Sequence, residues 1–207
     1  MTKTGHFVTL EGIDGAGKTV QSKLLAERLK AEGIPLVVTR EPGGGSGGGP
    51  IRDLLTGELT GTYSNETEIL LFTADRRNHL DSLIGPALAE GKLVICDRFV
   101  DSTRIYQGLG RPQLRRLIDR LHQAVIGLEP DMTFIVDLPV EVAVKRIRTR
   151  SGSDRRFEQF GKEISALRDG FRRLADEFPN RCRIVDGTMP PEHLAEELYR
   201  MTGSLIS

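Results

Sequence analysis

The sequence has little aromatic content, no net charge and no apolar run long enough to cross a membrane. Aromatic residues make up 5% of the 207 residues, and 29 Lys and Arg side chains balance 29 Asp and Glu side chains. Balanced charge gives no strong global attraction to nucleic acid or to an anionic membrane surface. The first apolar run begins close to Met1, which leaves no room for a signal peptide. We therefore expect a soluble cytoplasmic protein that binds neither nucleic acid nor membranes.

Cysteine is also scarce. The two cysteines, Cys96 and Cys182, both lie in apolar runs and lack metal-ligand spacing. This setting favours buried, reduced thiols, and hence a reducing cytosol, over a disulfide or a metal site. The length predicts a single domain over 1–207, which is long enough to bury a substantial core without covalent cross-links.

A glycine-rich motif near the N-terminus organises the chain. It fits G-x-x-x-x-G-K-[ST], follows an apolar β-branched run and precedes a helical pattern. Its glycines let successive N–H groups form an anion site, Lys18 adds a charge for phosphates, and the Thr19 hydroxyl can ligate Mg²⁺. A glycine-rich turn with an incidental lysine is the alternative. The expected phosphate-binding residues are Gly12, Ile13, Asp14, Gly15, Ala16, Gly17, Lys18 and Thr19.

Continuous apolar runs alternate with helical patterns along the rest of the chain. The predicted strands are 7–10, 36–39, 93–97, 132–137 and 181–186. The predicted helices are 18–32, 80–90, 140–150, 164–178 and 191–201. Pro50 can open a short helix, and a capping box at Asn65 and Glu68 begins another. Apolar strands separated by helices predict an α/β fold: a three-layer α/β/α domain of P-loop NTPase type with a five-stranded parallel sheet.

Charged residues follow several predicted strands at their carboxyl ends, where ligands of such sheets bind. Asp97 is placed to reach Mg²⁺ held by the glycine-rich motif, and Arg98 to clamp a phosphate; a surface ion pair is the alternative. Asp14 is a candidate for a metal-bound water or a sugar hydroxyl. Arg40 and Asp137 also lie at strand ends, so we expect several of these side chains to converge on one cleft.

Two further segments are expected to move. The glycine-rich run 43–49 is typical of a flexible loop. The region near 148–160 is predicted to be a mobile lid whose guanidinium groups neutralise phosphate charge during transfer, while a solvated basic helix face is the alternative. The arginines of this cluster are Arg146, Arg148, Arg150, Arg155 and Arg156.

Over nearly its whole length the chain resembles the thymidylate kinase family. The motifs that indicate this are E-G-I-D-G-A-G-K-T at 11–19, T-R-E-P-G-G at 39–44, D-R-F at 97–99, L-F at 71–72 with Arg76, and S-T at 102–103 with Y-Q-G at 106–108. The resemblance implies transfer of the γ-phosphoryl group of ATP, with Mg²⁺, to dTMP. The products would be dTDP, for dTTP synthesis, and ADP, and the enzyme would be a homodimer.

The resemblance also assigns roles. Phe72 would stack on thymine, Arg76 would bind a thymine carbonyl, and Tyr106 would favour deoxyribose. The implied substrate-binding residues are Arg40, Arg52, Phe72, Arg76, Arg98, Thr103, Tyr106 and Gln107. The implied catalytic residues are Lys18, Arg98, Arg150, Arg155 and Asp14, and the implied metal ligands are Thr19 and Asp97. Because the phosphate loop contains no arginine, the chain is similar to the bacterial type that uses lid arginines.

The glycine-rich stretch that continues from 45 to 49, after the motif at 39–44, departs from the family, which usually has a more varied and often acidic stretch there. Two other functions stay open at this point. One is a P-loop kinase for another small nucleotide or metabolite acceptor, and the other is a non-catalytic nucleotide switch. A nucleic-acid-binding ATPase is disfavoured by the neutral charge and the few aromatic residues.

Overall fold

A computed structural model describes residues 4–57, 61–151 and 157–206, with side chains throughout except at 150, 151 and 157–161. Five strands form one parallel sheet in the order β2-β3-β1-β4-β5. The strands are β1 (Phe7–Glu11), β2 (Leu36–Arg40), β3 (Leu93–Asp97), β4 (Met132–Asp137) and β5 (Cys182–Asp186). The sequence-based prediction of a five-stranded parallel sheet is confirmed.

Helices connect successive strands, as parallel pairing requires. The helices are α1 (Lys18–Ala31), α2 (Gly48–Thr56), α3 (Asn65–His79), α4 (Gly85–Ala89), α5 (Val100–Tyr106), α6 (Pro112–Leu121), α7 (Val140–Ser151), α8 (Phe157–Glu177) and α9 (Pro191–Ile206). The predicted helix at 80–90 is the end of a longer helical stretch, because α3 continues through a π-helical turn at Leu80–Ile84 into α4. A second π-helical turn, His122–Ile126, follows α6.

Two apolar clusters cover the two faces of the sheet. Phe134 of β4 belongs to a cluster with residues of α1, α8 and α9, whereas Phe7 of β1 belongs to a cluster with residues of α3, α4 and α6. Phe7 and Phe99 meet edge to face, with ring centroids 4.9 Å apart. Cys96 and Cys182 are buried and free, as predicted. Among the described residues, no helix combines the length and apolar character that a membrane crossing needs.

The strand register brings three strand ends to one edge of the sheet. Leu10 of β1 and Arg40 of β2 both pair with Asp97 of β3. The chain leaves β1 into the glycine-rich motif and leaves β3 into Arg98. This edge therefore holds the groups predicted to handle phosphates.

The structure corrects the predicted start of α3. Ser64, and not Asn65, is the N-cap residue, and its hydroxyl accepts a hydrogen bond from the Thr67 amide at 3.2 Å. Ser64 has extended backbone angles, which leave its side chain free to turn back onto the first helical turn. Asn65 is already helical.

The run 43–49 also differs from its prediction, because it packs against α3 instead of forming a flexible loop. A Cβ atom at Gly44 would lie 2.5 Å from His79 Nε2, and one at Gly45 would lie 2.4 Å from Ser82 Oγ. Asn78 Nδ2 donates to the Ser46 carbonyl at 2.8 Å. Gly44 and Gly45 are therefore needed for close approach, and α2 begins inside the run at 48.

Candidate active site

The glycine-rich motif forms a tight phosphate loop between β1 and α1. Gly12, Gly15 and Gly17 have φ values of 132°, 80° and 100°, in the region that favours glycine. A Cβ atom at Gly12 would lie 2.6 Å from the Val136 carbonyl oxygen. The loop can therefore follow this path, with its amides at the start of α1, because these positions lack side chains.

Lys18 rests on the loop that precedes it. Its ammonium group is buried and donates to the Gly12 and Ile13 carbonyl oxygens at 3.0 and 2.9 Å. Burial, helped by the positive charge of Arg98, lowers the pKa of Lys18 to about 7. An incoming phosphate would replace these carbonyls with a charged partner.

Thr19 and Asp97 meet across the same edge. The Thr19 hydroxyl donates to Asp97 Oδ2 in a short hydrogen bond, and the Asp97 side chain is mostly buried. A hydroxyl and a carboxylate are hard oxygen donors of the kind that bind Mg²⁺ beside phosphates, usually with several waters retained. The described residues contain no cluster of three His, Cys, Asp or Glu side chains that could enclose a metal.

A cavity of about 730 Å³ lies over the phosphate loop. Beyond the loop it is bounded by α7 and by the segment between β5 and α9. Arg146 of α7 connects the phosphate loop with the segment after β5, since its guanidinium group donates to the Gly15 and Gly187 carbonyls at 3.3 and 3.4 Å. Sequence reasoning placed Arg146 in the predicted lid cluster and missed Met189 and Pro191, which also line this cavity and have no motif of their own.

A second cavity, of about 340 Å³, lies beside the first. It brings together the residues that the sequence assigned to a base pocket, namely Phe72, Arg76, Thr103, Tyr106 and Gln107. Asp14 and Arg98 line both cavities, so the two spaces meet at these side chains. The phosphate loop and α5 thus face each other across one shared boundary.

Arg98 is the central cation of this boundary. It is a non-glycine residue with φ of 72°, and its guanidinium group forms an ion pair with Asp14. Arg98 Nη1 also donates to the Gly12 carbonyl at 3.2 Å and to Ser102 Oγ at 2.8 Å. Burial raises the pKa of Tyr106 to about 12, so this phenol stays neutral where Arg98 Nη2 donates to it at 3.3 Å.

Arg76 is held by Glu41, which sequence reasoning did not select, and by Thr103, which it did. Its Nε donates to Glu41 Oε2 at 2.8 Å and its Nη2 to Thr103 Oγ1 at 3.1 Å, and both partners are buried. His79 in turn contacts the other Glu41 oxygen at 3.1 Å and Thr39 Oγ1 at 2.7 Å. The E-P-G-G sequence motif was a usable signal for Glu41, whereas nothing local to α3 marks His79.

Other predicted residues lie outside the two cavities. Arg40 is exposed at the end of β2, and Arg52 donates to the Pro42 carbonyl at 2.7 Å; neither lines one of these two cavities. Asp137 does not join the cleft, because it forms an ion pair with Arg168 of α8 at 2.6 Å. The side chain of Arg150 and the whole of Arg155 lie outside the described residues.

Comparisons with known proteins agree with this geometry. The family model described as thymidylate kinase matches residues 10–198. The thymidylate kinase of Ruegeria pomeroyi is 52% identical over 199 residues, covering 96% of this chain and 94% of that protein. The thymidylate kinase of Dinoroseobacter shibae is 50% identical, covering 96% of both. A crystal structure of thymidylate kinase from Ehrlichia chaffeensis superposes with a TM-score of 0.76 at 36% identity, covering 96% and 98% of the two chains.

Proposed function

The chain belongs to the thymidylate kinase family, and we propose that it transfers the γ-phosphoryl group of ATP to dTMP, giving dTDP and ADP for dTTP synthesis. The observation that carries the proposal is the shared boundary of the two cavities at Asp14 and Arg98. A donor in the larger cavity and an acceptor in the smaller one would bring their phosphates together at the Arg98 guanidinium group. Such proximity is the main requirement of phosphoryl transfer.

The larger cavity is proposed to bind the donor. The residues from Gly12 to Thr19 would hold the phosphates of ATP, with the Lys18 ammonium group on the outer phosphates. The Thr19 hydroxyl and the Asp97 carboxylate would hold Mg²⁺ together with waters. The ion, when bound, neutralises negative charge on the transferring group.

The smaller cavity is proposed to bind the acceptor. Phe72 would stack on thymine, Arg76 would bind a base carbonyl, and Thr103 and Gln107 would lie near the other base edge. Tyr106 would crowd the 2′ position and so favour deoxyribose. The size of this cavity, less than half that of the first, supports an acceptor smaller than the donor.

The phosphates are proposed to be clamped by arginines from several segments. Arg98 would contact the acceptor phosphate at the boundary, and Arg40 and Arg52 would reach it from β2 and α2. Arg150 and Arg155 would come from a lid near 148–160 as the charge of the transition state spreads. Asp14 would approach the sugar 3′-hydroxyl or the metal shell. The acceptor oxygen is already an anion, so direct in-line transfer needs no covalent enzyme intermediate.

We further propose a single domain over 1–207 that works in the cytoplasm as a homodimer. The exposed apolar side chains Leu70 of α3 and Val125 of the second π-helical turn support pairing of copies through this face. The two free thiols support a reducing compartment. Sedimentation of the wild type and of a Leu70→Glu variant tests the pairing, because the charge should shift the protein to monomers.

A panel of acceptors with MgATP tests the activity. We expect strong preference for dTMP over dUMP, dCMP and the ribose form of TMP. Lys18→Ala protein prepared in the same way is the control for contaminating kinases. Equal rates with purine monophosphates would contradict the base pocket. Slow hydrolysis of ATP without transfer to any acceptor would instead support the nucleotide switch.

A further inference from the structure

Glu11 is a buried carboxylate at the last position of β1, directly before the phosphate loop. Its side chain crosses to the segment that follows β3. Glu11 Oε1 accepts hydrogen bonds from the Phe99 amide at 2.7 Å and from the Ser102 amide at 3.2 Å. Glu11 Oε2 accepts from the Ser102 hydroxyl at 2.6 Å. One side chain thus satisfies three donors at the start of α5.

The beginning of α5 depends on this carboxylate. Phe99 occupies the N-cap position and makes no side-chain capping bond. The first amides of a helix have no intrahelical acceptor, so a group from elsewhere must satisfy them when they are buried. Glu11 does this from the neighbouring strand, and it therefore fixes where α5 begins relative to β1.

These contacts lie next to Arg98 and hold its conformation. A left-handed backbone is unfavourable for an L-residue, so the neighbours of Arg98 must hold it in this conformation. The Arg98 amide donates to the Leu10 carbonyl at 3.0 Å, and the next amide donates to Glu11. The Arg98 side chain is held through Ser102, whose hydroxyl donates to Glu11 and accepts from Arg98 Nη1. Backbone and side chain of Arg98 are thus both tied to the end of β1.

We propose that Glu11 is a positioning residue, which holds the Arg98 guanidinium group at the boundary of the two cavities through the Phe99 amide and the Ser102 hydroxyl. The role rests on the proposed function, in which Arg98 contacts the transferring phosphates. Glu11 lines neither of the two cavities, so it acts through the residues that it holds, of which Arg98 lines both cavities. It also links the end of β1, directly before the phosphate loop, to the start of α5.

Glu11→Gln is the sharpest variant, because it keeps the size of the side chain. Its one carbonyl oxygen can still accept from a backbone amide, but its NH₂ group is a donor. Placed beside Ser102 Oγ, which already accepts from Arg98 Nη1, this donor leaves the Ser102 hydroxyl without its acceptor. The connection through Ser102 to Arg98 is therefore weakened, and no cavity opens in the core. Ser102→Ala breaks the same connection and leaves the amide contacts of Glu11 intact, so it serves if Glu11→Gln folds poorly.

The experiment is a double-mutant cycle with steady-state kinetics. We expect Glu11→Gln to lower kcat/KM for dTMP by about 10- to 30-fold and to leave KM for ATP within about two-fold of the wild type. In an Arg98→Ala background the same substitution should cost less than about two-fold, because its target is gone. Thr9→Val is the matched control, since Thr9 is a buried polar residue of β1 that bonds to Thr133 and not to α5.

A second readout does not depend on activity. The Nε–H resonance of Arg98, assigned by its disappearance in Arg98→Ala, should shift or broaden in Glu11→Gln and stay in place in Thr9→Val. An unchanged resonance, or equal kinetic losses with and without Arg98, would overturn the positioning role. Absence of dTMP phosphorylation by the wild type would instead overturn the proposed function and leave the resonance test to decide the role of Glu11.

Discussion

Glu41 and Arg76 form a buried ion pair, with Arg76 Nε 2.8 Å from Glu41 Oε2 and about 3% of each side chain exposed. The second carboxylate oxygen of Glu41 contacts His79, which is fully buried. The pair sets the direction of the guanidinium group that faces the smaller cavity. A substitution in this pair should therefore change both the stability of the fold and the binding of the acceptor.

Glu41→Gln should destabilise the fold by about 3–5 kcal/mol, because it leaves a buried guanidinium group without its counter-charge. Urea unfolding followed by circular dichroism measures this change, and KM for dTMP should rise in the same variant. Glu196→Gln is the control, since it removes an exposed carboxylate that pairs with Arg28 and should leave the unfolding midpoint nearly unchanged. Equal midpoints for the two variants would contradict the prediction.

The glycine run 43–49 offers a matched pair of substitutions. Gly44→Ala should destabilise the protein by about 1–3 kcal/mol, because its methyl group would overlap the Arg40 carbonyl and the His79 ring. Gly49→Ala meets nothing within 4 Å and lies in the first turn of α2, so it should be neutral or stabilising by about 0.4–1 kcal/mol. Thermal unfolding of both variants checks the difference. A harmless Gly44→Ala would restore the view of this run as a flexible loop.

Glu11 should make the stability of the protein depend on pH. Burial, with the nearby negative charge of Asp101, raises the pKa of Glu11 from 4.5 to about 7. Between these two values the folded protein keeps a proton that the unfolded chain has released, so folding weakens as the pH rises through the window. Relative to Glu11→Gln, the wild type should lose on the order of 1–3 kcal/mol between about pH 5 and pH 8.

Urea midpoints at both pH values measure this loss. Thr9→Val keeps Glu11, so the difference between its urea midpoint and that of the wild type should not depend on pH. If the difference in urea midpoint between the wild type and Glu11→Gln is also independent of pH, Glu11 has an ordinary pKa and the prediction is wrong.

The lid prediction is tested by kinetics. Arg155→Ala should lower kcat on the order of 10³-fold, while the affinity for ATP changes little, because the arginine acts on the transition state. Arg116→Ala, an exposed arginine of α6, is the control for loss of a positive charge. Normal turnover of Arg155→Ala together with a slow Arg150→Ala would assign the role to Arg150.

The parts of the fold with local signals could be predicted from the sequence. The phosphate loop is a run of adjacent residues, and the continuous apolar runs mark β3 and β4 within one residue. Asp97 and Asp137 show the limit, because both end an apolar strand and only Asp97 faces the cleft. The difference comes from Arg168, 31 residues after Asp137, and no pattern around Asp137 indicates that partner.

The same limit applies to the groups that orient the site. Glu11 meets Phe99 across 88 positions, and Glu41 meets Arg76 across 35. Such pairs are created by strand order and helix packing, so each residue looks ordinary in its own segment. The prediction of a flexible loop at 43–49 missed its packing for a related reason, because the close neighbour His79 comes from a helix later in the chain.

The contact between Lys18 and its own loop has a consequence for the binding of a phosphate. Since the ammonium group donates to two carbonyl oxygens of the loop, the chain itself supports the tight turn. A phosphate that binds there would exchange places with these carbonyl oxygens. Little of its binding free energy would then be spent on ordering the loop.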